Sequence, residues 1–125
     1  CKRIQTEIED AGGIDICILG IGINGHIALN EPADLLQADC HVANLHPVTL
    51  ASGMIEKVGI PLKQGMTMGI GNIMDARMVI LFFTGKGKKA ALDLFLERKI
   101  RTDLPASLLW LHPNAHVIVD KNSLC

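Results

Sequence analysis

The run Ile14-Asp-Ile-Cys-Ile-Leu-Gly-Ile21 decides the fold class of this chain. It is rich in β-branched residues and nearly free of polar ones, which is typical of a strand covered on both faces in a parallel sheet. The runs Met78-Val-Ile-Leu-Phe-Phe-Thr84 and Ala115-His-Val-Ile-Val-Asp120 are two further candidate strands. Because helical segments separate these runs, the sequence predicts an α/β fold with a mostly parallel sheet.

The intervening segments predict helices and short strands. Ile4 and Ile8 lie on one face of a helix that ends at Gly12 and Gly13. Other helices are predicted over residues 47–58, 88–98 and, entered through Pro105, 106–111, with a helical turn over 73–76 and short strands over 40–45 and 66–70. No internal repeat or interdomain linker is evident, so residues 1–125 form part or all of one domain.

Composition restricts the class of protein. Hydrophobic residues make up 49% of the 125 residues and charged residues 20%, a balance typical of a globular domain. A net charge of −1 and an aromatic content of 3% argue against nucleic acid as a partner. No apolar run has the length of a membrane span, so no membrane partner is expected. The four cysteines lack paired spacing, which favours a reducing, cytoplasmic compartment, and no residue cluster predicts a metal site.

The loop after the first run, Gly22-Ile-Asn-Gly-His-Ile-Ala-Leu-Asn-Glu-Pro32, is the first candidate site. It follows the carboxyl end of a strand, where open α/β sheets place their ligands. His26 has the side chain best suited to move protons near neutral pH, and Glu31 can hold an imidazole in one tautomer. Asn24 can orient the ring without charge. Chemistry alone supports a catalytic loop and a solvated glycine-rich turn equally.

Two glycine-rich patterns bear on phosphate or nucleotide binding. Gly20-Ile-Gly22-Ile-Asn-Gly25 matches a dinucleotide fingerprint, but Asn30-Glu-Pro32 opposes the helix that has to follow it. Thr84-Gly-Lys-Gly-Lys-Lys89 joins a strand to a helix, which suits a phosphate, although a solvated basic helix start is a common alternative. Both loops are expected at the same sheet edge, which favours the phosphate interpretation.

His112 and His116 are four residues apart, as in many helical metal sites. Pro113 prevents a helix between them, so this spacing does not predict a metal site. His112 is interpreted as a structural or a site-lining residue, and His41 and His46 have no partner pattern.

The segment Leu19-Gly-Ile-Gly-Ile-Asn-Gly-His-Ile-Ala-Leu-Asn-Glu-Pro32 resembles the signature of glucosamine-6-phosphate deaminases. The resemblance continues through Met66-Thr-Met-Gly-Ile-Gly-Asn-Ile-Met-Asp-Ala76 and Pro105-Ala-Ser-Leu-Leu-Trp-Leu-His-Pro-Asn114, and so covers nearly the whole chain. The pairs Leu36-Gln37 and Cys40-His41 and the segment from Pro105 to His112 are most similar to the galactosamine-6-phosphate isomerase branch. The resemblance implies a modified Rossmann-like three-layer sandwich, of which this chain is the carboxy-terminal portion, residues 1–125.

The resemblance also implies roles for individual residues. His26 corresponds to the histidine that opens the sugar ring, Glu31 to the carboxylate that orients it, and Asn24 stands where some members have Asp. Lys88 corresponds to a lysine that contacts phosphate, and Met54 stands where glucosamine-type enzymes have an arginine. The substrate-binding residues predicted for this chain are Gly22, Gly25, Asn30 and Lys88.

The implied reaction converts galactosamine 6-phosphate to tagatose 6-phosphate and ammonia, or glucosamine 6-phosphate to fructose 6-phosphate and ammonia, without a cofactor. The family's amino-terminal half supplies the aspartate that removes the C2 proton, so the 125-residue chain alone is expected to have little or no activity. The partner is then a small sugar phosphate, and a homo-oligomer is left open. Two alternatives are a 6-phosphogluconolactonase-like hydrolase and a non-catalytic sugar-phosphate-binding module.

Overall fold

The computed structural model describes residues 1–51 and 59–124. Within these ranges the strands are β1 (Ile16–Gly20), β2 (His41–Asn44), β3 (Gln64–Thr67), β4 (Met78–Phe83) and β5 (Ala115–Val119). The α-helices are Lys2–Asp10, Pro47–Leu50, Ile70–Met74 and Lys89–Leu96, and the 3₁₀ helices are Pro105–Leu111 and Lys121–Leu124. No helix of the described residues is long and apolar enough to cross a membrane.

Strands β1, β4 and β5 form a parallel sheet in the order β1-β4-β5. The register places Leu19 beside Leu81 and Phe82 beside Ile118. The three apolar runs of the sequence are therefore neighbours in one sheet. The predicted α/β class and its parallel sheet are confirmed.

One face of this sheet forms the core of the described chain. Cys17 and Leu19 of β1 and alternate residues of β4, up to Phe83, are buried on this face. The helix Lys89–Leu96 contributes Phe95, whose ring centroid lies 5.5 Å from that of Phe83. Cys17 is a free thiol that packs as a small apolar side chain.

The opposite face of the sheet is open, which differs from the expectation that β1 is covered on both faces. Ile16 and Ile18 are 57% and 68% exposed, and Ile118 of β5 is 48% exposed. The apolar side chains alternate in burial along β1 because the described residues pack against one face only. We call Ile16, Ile18 and Ile118 the open face.

Strands β2 and β3 form a separate antiparallel pair. The strand predicted over residues 40–45 is present as β2, whereas the pairing of the two strands was not predicted. The strand predicted over residues 66–70 begins earlier and ends at Thr67, which corrects that prediction. Beyond Thr67, Gly69 passes close to the backbone of Ala38. A β-carbon on Gly69 would lie 2.2 Å from the carbonyl oxygen of Ala38, so the residue at this place has to be glycine. The backbone amide of Ile70 then donates to the carbonyl oxygen of Gln37 and begins the next helix.

Most predicted helices are present with shifted ends. The helix Lys2–Asp10 is followed, after Ala11, by Gly12 and Gly13, which both have positive φ. The helix predicted over residues 88–98 spans Lys89–Leu96, and the one predicted over 106–111 is a 3₁₀ helix that already begins at Pro105. Of the helix predicted over 47–58, the structure shows Pro47–Leu50, and residues 52–58, with Met54, lie outside the described part of the chain.

Candidate active site

The loop that follows β1 forms a tight turn instead of starting a helix. The amide of Gly22 donates to the carbonyl oxygen of His26 at 2.9 Å, and the amide of Gly25 donates to that of Gly22 at 3.0 Å. Ile27 is fully buried and anchors the loop to the core. Because no helix follows the glycines, the loop lacks the geometry of a dinucleotide-binding site, in agreement with the sequence analysis.

Two glycines, Gly22 and Gly25, leave the space that the loop around His26 requires. A β-carbon on Gly22 would lie 2.2 Å from Cε1 and 2.3 Å from Nδ1 of His26, so the imidazole occupies the space over the Gly22 backbone. Gly25 has φ +86°, a conformation that favours glycine, and a β-carbon there would meet Leu104 at 2.2 Å. Both glycines thus shape the loop around the imidazole, whereas direct contact of either with a substrate stays a prediction.

The Nδ1 atom of His26 faces three oxygen atoms. Oδ1 of Asn24 lies at 2.8 Å, Oε2 of Glu31 at 3.2 Å and Oγ1 of Thr49 at 3.3 Å. An amide oxygen and a carboxylate can only accept, so Nδ1 carries the proton in the neutral ring. The Nε2 atom has no hydrogen-bond partner among the described residues and is the basic nitrogen of this tautomer.

Asn24 connects the histidine to the glutamate. Its Oδ1 accepts from the backbone amide of His26 at 3.3 Å as well as facing Nδ1, and its Nδ2 donates to Oε2 of Glu31 at 2.9 Å. The amide therefore orients the ring on one side and holds the carboxylate on the other. An amide at this position preserves the orientation that the sequence analysis expected of it, without adding a second negative charge.

Glu31 receives hydrogen bonds on both carboxylate oxygens. Oε1 accepts from the hydroxyl of Thr49 at 2.6 Å and from the backbone amide of His46 at 3.3 Å. Burial by itself would raise the pKa of Glu31, but the hydrogen bonds from Thr49 and Asn24, together with the charge of protonated His26, outweigh it and hold the pKa below its ordinary value. Glu31 is therefore a carboxylate at neutral pH.

Burial sets the protonation state of His26. It lowers the pKa of the imidazole, the neighbouring Glu31 carboxylate opposes this effect, and the positive charge of Lys88 adds to it. The net pKa lies below the ordinary histidine value, so the ring is neutral at physiological pH. The pair then consists of an ionised carboxylate and a neutral imidazole whose Nε2 can accept a proton.

Lys88 reaches the same edge of the sheet from the loop after β4. Its Nζ donates to the carbonyl oxygen of Ile21 at 2.5 Å, and burial lowers its pKa. The parallel pairing of β1 with β4 places both loops at the carboxyl ends of neighbouring strands, as predicted. The amide of Gly85 is already occupied, since it donates to Oδ2 of Asp120 at 3.0 Å. Phosphate binding by this loop, which stays a prediction, rests mainly on Lys88.

Asn30 supports the loop from within the protein. It is 2% exposed, and its Nδ2 donates to the carbonyl oxygens of Ile27 and Met68 at 3.1 and 2.9 Å. Its Oδ1 is the single buried side-chain polar atom of the described residues that has no hydrogen-bond partner. The contact with substrate predicted for Asn30 stays a prediction.

The remaining histidines have local roles. Nε2 of buried His112 lies 2.8 Å from the carbonyl oxygen of Ala76, and its Nδ1 accepts from the amide of Asn114, so His112 is structural. His46 accepts from the amide of Val48 and caps the helix Pro47–Leu50. Within residues 1–51 and 59–124, no group of three or more His, Cys, Asp or Glu side chains is placed to hold a metal ion.

The sequence did not single out Thr49 or the backbone amide of His46, which both contact Glu31. Thr49 lies 18 residues beyond Glu31 and belongs to no motif that chemistry singles out. The one signal of a local structure was Pro47, which favours the first turn of a helix.

The fold and this site define a family. The model of the family described as glucosamine-6-phosphate isomerases/6-phosphogluconolactonase matches residues 1–119. The chain belongs to this family. Both enzymes named in this description act on sugar phosphates.

Individual relatives place the chain more closely. It is 46% identical over 114 residues to the "Putative deaminase AgaI" of Escherichia coli (strain K12), and the aligned residues make up 91% of this chain and 45% of that protein. It is 38% identical over 125 residues to the glucosamine-6-phosphate deaminase of Thermoanaerobacter pseudethanolicus (strain ATCC 33223 / 39E), which covers 98% of this chain and 49% of that protein. The chain thus spans about half the length of the curated relatives it matches.

Solved structures agree with this placement. A monomeric glucosamine-6-phosphate deaminase superimposes with a TM-score of 0.91 at 34% identity, over 100% of this chain and 54% of that one. The 6-phosphogluconolactonase of Trypanosoma brucei superimposes with a TM-score of 0.67 at 19% identity, over 98% of this chain and 50% of that one. The second match shows a shared fold.

Proposed function

We propose that this chain carries the ring-opening part of an amino-sugar-6-phosphate isomerase/deaminase. The observation that supports it best is the arrangement of His26, whose Nδ1 is held by Asn24 and Glu31 while Nε2 has no partner among the described residues. Such a ring can take a proton at Nε2 and return it, which is what opening a pyranose requires.

The proposed step transfers one proton between two oxygen atoms of the sugar. Nε2 of His26 takes the proton of the anomeric hydroxyl, and the C1–O5 bond breaks as a carbonyl forms at C1. The imidazolium then gives the proton to the ring oxygen O5. Glu31 stabilises the transient positive charge because its carboxylate lies 3.2 Å from Nδ1.

The later steps need a base that we place outside these 125 residues. Removal of the C2 proton gives an enolamine, protonation at C1 gives an imine, and addition of water releases ammonia and the ketose 6-phosphate. We propose that residues 1–125 are the carboxy-terminal portion of a single domain and that the rest of the protein supplies the C2 base. Two findings support this: the matched relatives are about twice as long, and the open face exposes Ile16 and Ile18.

We propose galactosamine 6-phosphate as the first substrate to test, with glucosamine 6-phosphate as the second. The likeness of Leu36-Gln37 and Cys40-His41 to the galactosamine branch supports the first, and the 38% identity to a glucosamine-6-phosphate deaminase supports the second. A sugar-phosphate substrate fits the family in either case. A cytoplasmic location and a homo-oligomeric assembly stay predictions.

The decisive experiment measures ammonia release by the full gene product that contains this chain, with both hexosamine 6-phosphates. His26→Gln is expected to abolish most turnover and to leave substrate binding nearly intact. His116→Gln is the matched control, because His116 is exposed and contacts Asn114 instead of the site. Near-normal ammonia release by His26→Gln would exclude this function.

The same preparation tests the two alternatives. Hydrolysis of 6-phosphogluconolactone without ammonia from either hexosamine phosphate would identify a lactonase. Binding of an amino-sugar phosphate without any turnover would identify a non-catalytic module. The 125-residue chain by itself is expected to release little or no ammonia, and robust turnover by it would contradict the assignment of the C2 base to another segment.

A further inference from the structure

We infer that Thr49 is a positioning residue of the ring-opening site. This inference rests on the proposed function of His26. The hydroxyl of Thr49 fixes one oxygen of the Glu31 carboxylate so that the other oxygen faces Nδ1 of His26. It explains how a flexible glutamate keeps a single orientation beside the imidazole.

The contacts of the hydroxyl support this role. Oγ1 of Thr49 donates to Oε1 of Glu31 at 2.6 Å, a short distance typical of a hydrogen bond to a charged acceptor. Its single proton is used in this bond, so a lone pair of Oγ1 faces Nδ1 of His26 at 3.3 Å. Thr49 is 7% exposed, which leaves little access for water to replace these contacts.

The local helix does not need this hydroxyl. The helix Pro47–Leu50 is capped by Nδ1 of His46, which accepts from the amide of Val48, and the amide of Thr49 donates to the carbonyl oxygen of His46. The backbone amide of His46 also donates to Glu31 and docks the helix against the loop. The helix therefore leaves the hydroxyl proton of Thr49 free to be donated to the carboxylate of Glu31.

The two oxygens of Glu31 consequently have separate tasks. Oε1 is held by Thr49 and the amide of His46, while Oε2 faces Nδ2 of Asn24 and Nδ1 of His26. Loss of the hydroxyl leaves Oε1 with one weaker donor in a largely buried place, so the carboxylate, which Asn24 still binds through Oε2, is held less firmly. The Nδ1–H tautomer of His26 then keeps Oδ1 of Asn24 as an acceptor but loses the firmly placed carboxylate beside it.

Two substitutions separate the hydroxyl from the volume of the side chain. Thr49→Val keeps the shape and removes the donor, whereas Thr49→Ser keeps the donor and removes a methyl group. Thr102→Val is the matched control, because Thr102 is exposed and its hydroxyl contacts the backbone of Asp34. All variants are made in the full gene product, and Thr49→Cys provides a weak donor for comparison if Thr49→Val does not fold.

The first readout is the tautomer and the titration of His26, which are both measured by ¹⁵N NMR of the imidazole. The charged or titratable groups that face His26 are Glu31, Lys88 and His46, so the variants are compared with these groups unchanged. Thr49→Val, or Thr49→Cys in its place, is expected to lower the fraction of the Nδ1–H tautomer and to shift the titration. Thr49→Ser is expected to recover most of the wild-type behaviour.

The second readout is turnover. Thr49→Val is expected to lower kcat about tenfold or more, the loss that follows from removing a hydrogen bond to a charged group, with KM changed by less than about threefold. Thr102→Val is expected to match the wild type. Wild-type tautomer populations and kcat in Thr49→Val, or a loss in Thr49→Ser as large as in Thr49→Val, would overturn the inference.

The two readouts distinguish failure of this inference from failure of the proposed function. The tautomer of His26 is measured without substrate and depends on the groups that face Nδ1, which are Asn24, Glu31 and Thr49. If ammonia release survives His26→Gln, the proposed function fails whatever the NMR data show. If His26→Gln is inactive and the tautomer ignores Thr49, the positioning role alone fails.

Discussion

The amide oxygen of Asn24 lies 2.8 Å from Nδ1 of His26, closer than either oxygen of the nearby carboxylate. The nearest hydrogen-bond acceptor of the imidazole is therefore neutral. The negative charge comes from Glu31, at 3.2 Å, and Asn24 ties the two together by donating to Oε2. Burial lowers the pKa of the ring, and the neutral amide of Asn24 adds no second negative charge that would raise it.

The substitution Asn24→Asp tests this division. A second carboxylate beside Nδ1 is expected to raise the pKa of His26 by about 1 or more, because an opposite charge within a few ångströms favours the protonated ring. The titration is followed by NMR of the imidazole in the full gene product. Asn44→Asp is the control, since exposed Asn44 contacts Gln64 instead. An unchanged titration of His26 in Asn24→Asp would contradict the interpretation of Asn24.

The substitution Gly22→Ala tests the space beneath the imidazole. A methyl group at residue 22 would lie 2.2 Å from Cε1 of His26, so the ring has to leave its position over the backbone. Turnover is expected to fall about 100-fold, since a displacement of about 1 Å at a reacting group costs this much. Gly20→Ala is the control, because a β-carbon at residue 20 would have no atom within 4 Å. Equal activity of the two variants would show that the ring position is unimportant.

The substitution Lys88→Met tests the phosphate prediction. Lys88 is expected to bind the phosphate group through its charge, so its loss should raise KM for the hexosamine phosphate about tenfold or more and change kcat less. Inorganic phosphate is expected to be a weaker competitive inhibitor of Lys88→Met than of the wild type, by a similar factor. Lys89→Met removes the same charge from a lysine that pairs with Asp93 at 2.7 Å on the surface. A similar KM for both variants would place the phosphate elsewhere.

Stability is expected to depend on pH through His26 and Glu31, whose pKa values are both lowered in the folded protein. The unfolded chain binds a proton on histidine below about pH 6.5, before the folded protein does, so the free energy of unfolding falls as the pH decreases through this value. Glu31 extends the loss: its contribution is complete above the unfolded value of about 4.3 and disappears as the pH falls through its folded pKa.

Urea unfolding of the full gene product between about pH 7.5 and about pH 5 measures the histidine part. His26→Gln is expected to flatten the dependence below about pH 6.5 by at most about 1.4 kcal/mol per pH unit, the value for one proton. An identical slope in the wild type and in His26→Gln would contradict the lowered pKa of His26.

Much of the fold was predictable from local patterns. The runs that contain Leu19, Leu81 and Val117 are apolar and rich in β-branched residues, which indicates strands, and the helices between them indicate one parallel sheet. The strands β2 and β3 were predicted with somewhat different ends, but their antiparallel pairing was not predictable, because it depends on contacts distant in sequence. The 3₁₀ form of Pro105–Leu111 likewise depends on packing more than on propensity.

The chemistry of the loop from Gly22 to Pro32 was also visible in the sequence, since histidine, carboxylate and glycine occur there within one short segment. The order of residues determined that His26 and Glu31 lie close together and that Asn24 can reach both. Closeness along the chain was enough to bring these side chains together, because a tight turn leaves few positions in which side chains of this length lie far apart.

Only the tertiary structure decided the state of these groups. The pKa of His26 follows from burial and from Lys88, and the orientation of Glu31 follows from Thr49, residues that lie far from the loop in sequence. Local sequence does not specify which distant side chains will exclude water or donate a hydrogen bond. The parallel pairing of β1 with β4 brings Lys88 to the loop. The docking of the helix Pro47–Leu50 brings Thr49 to it.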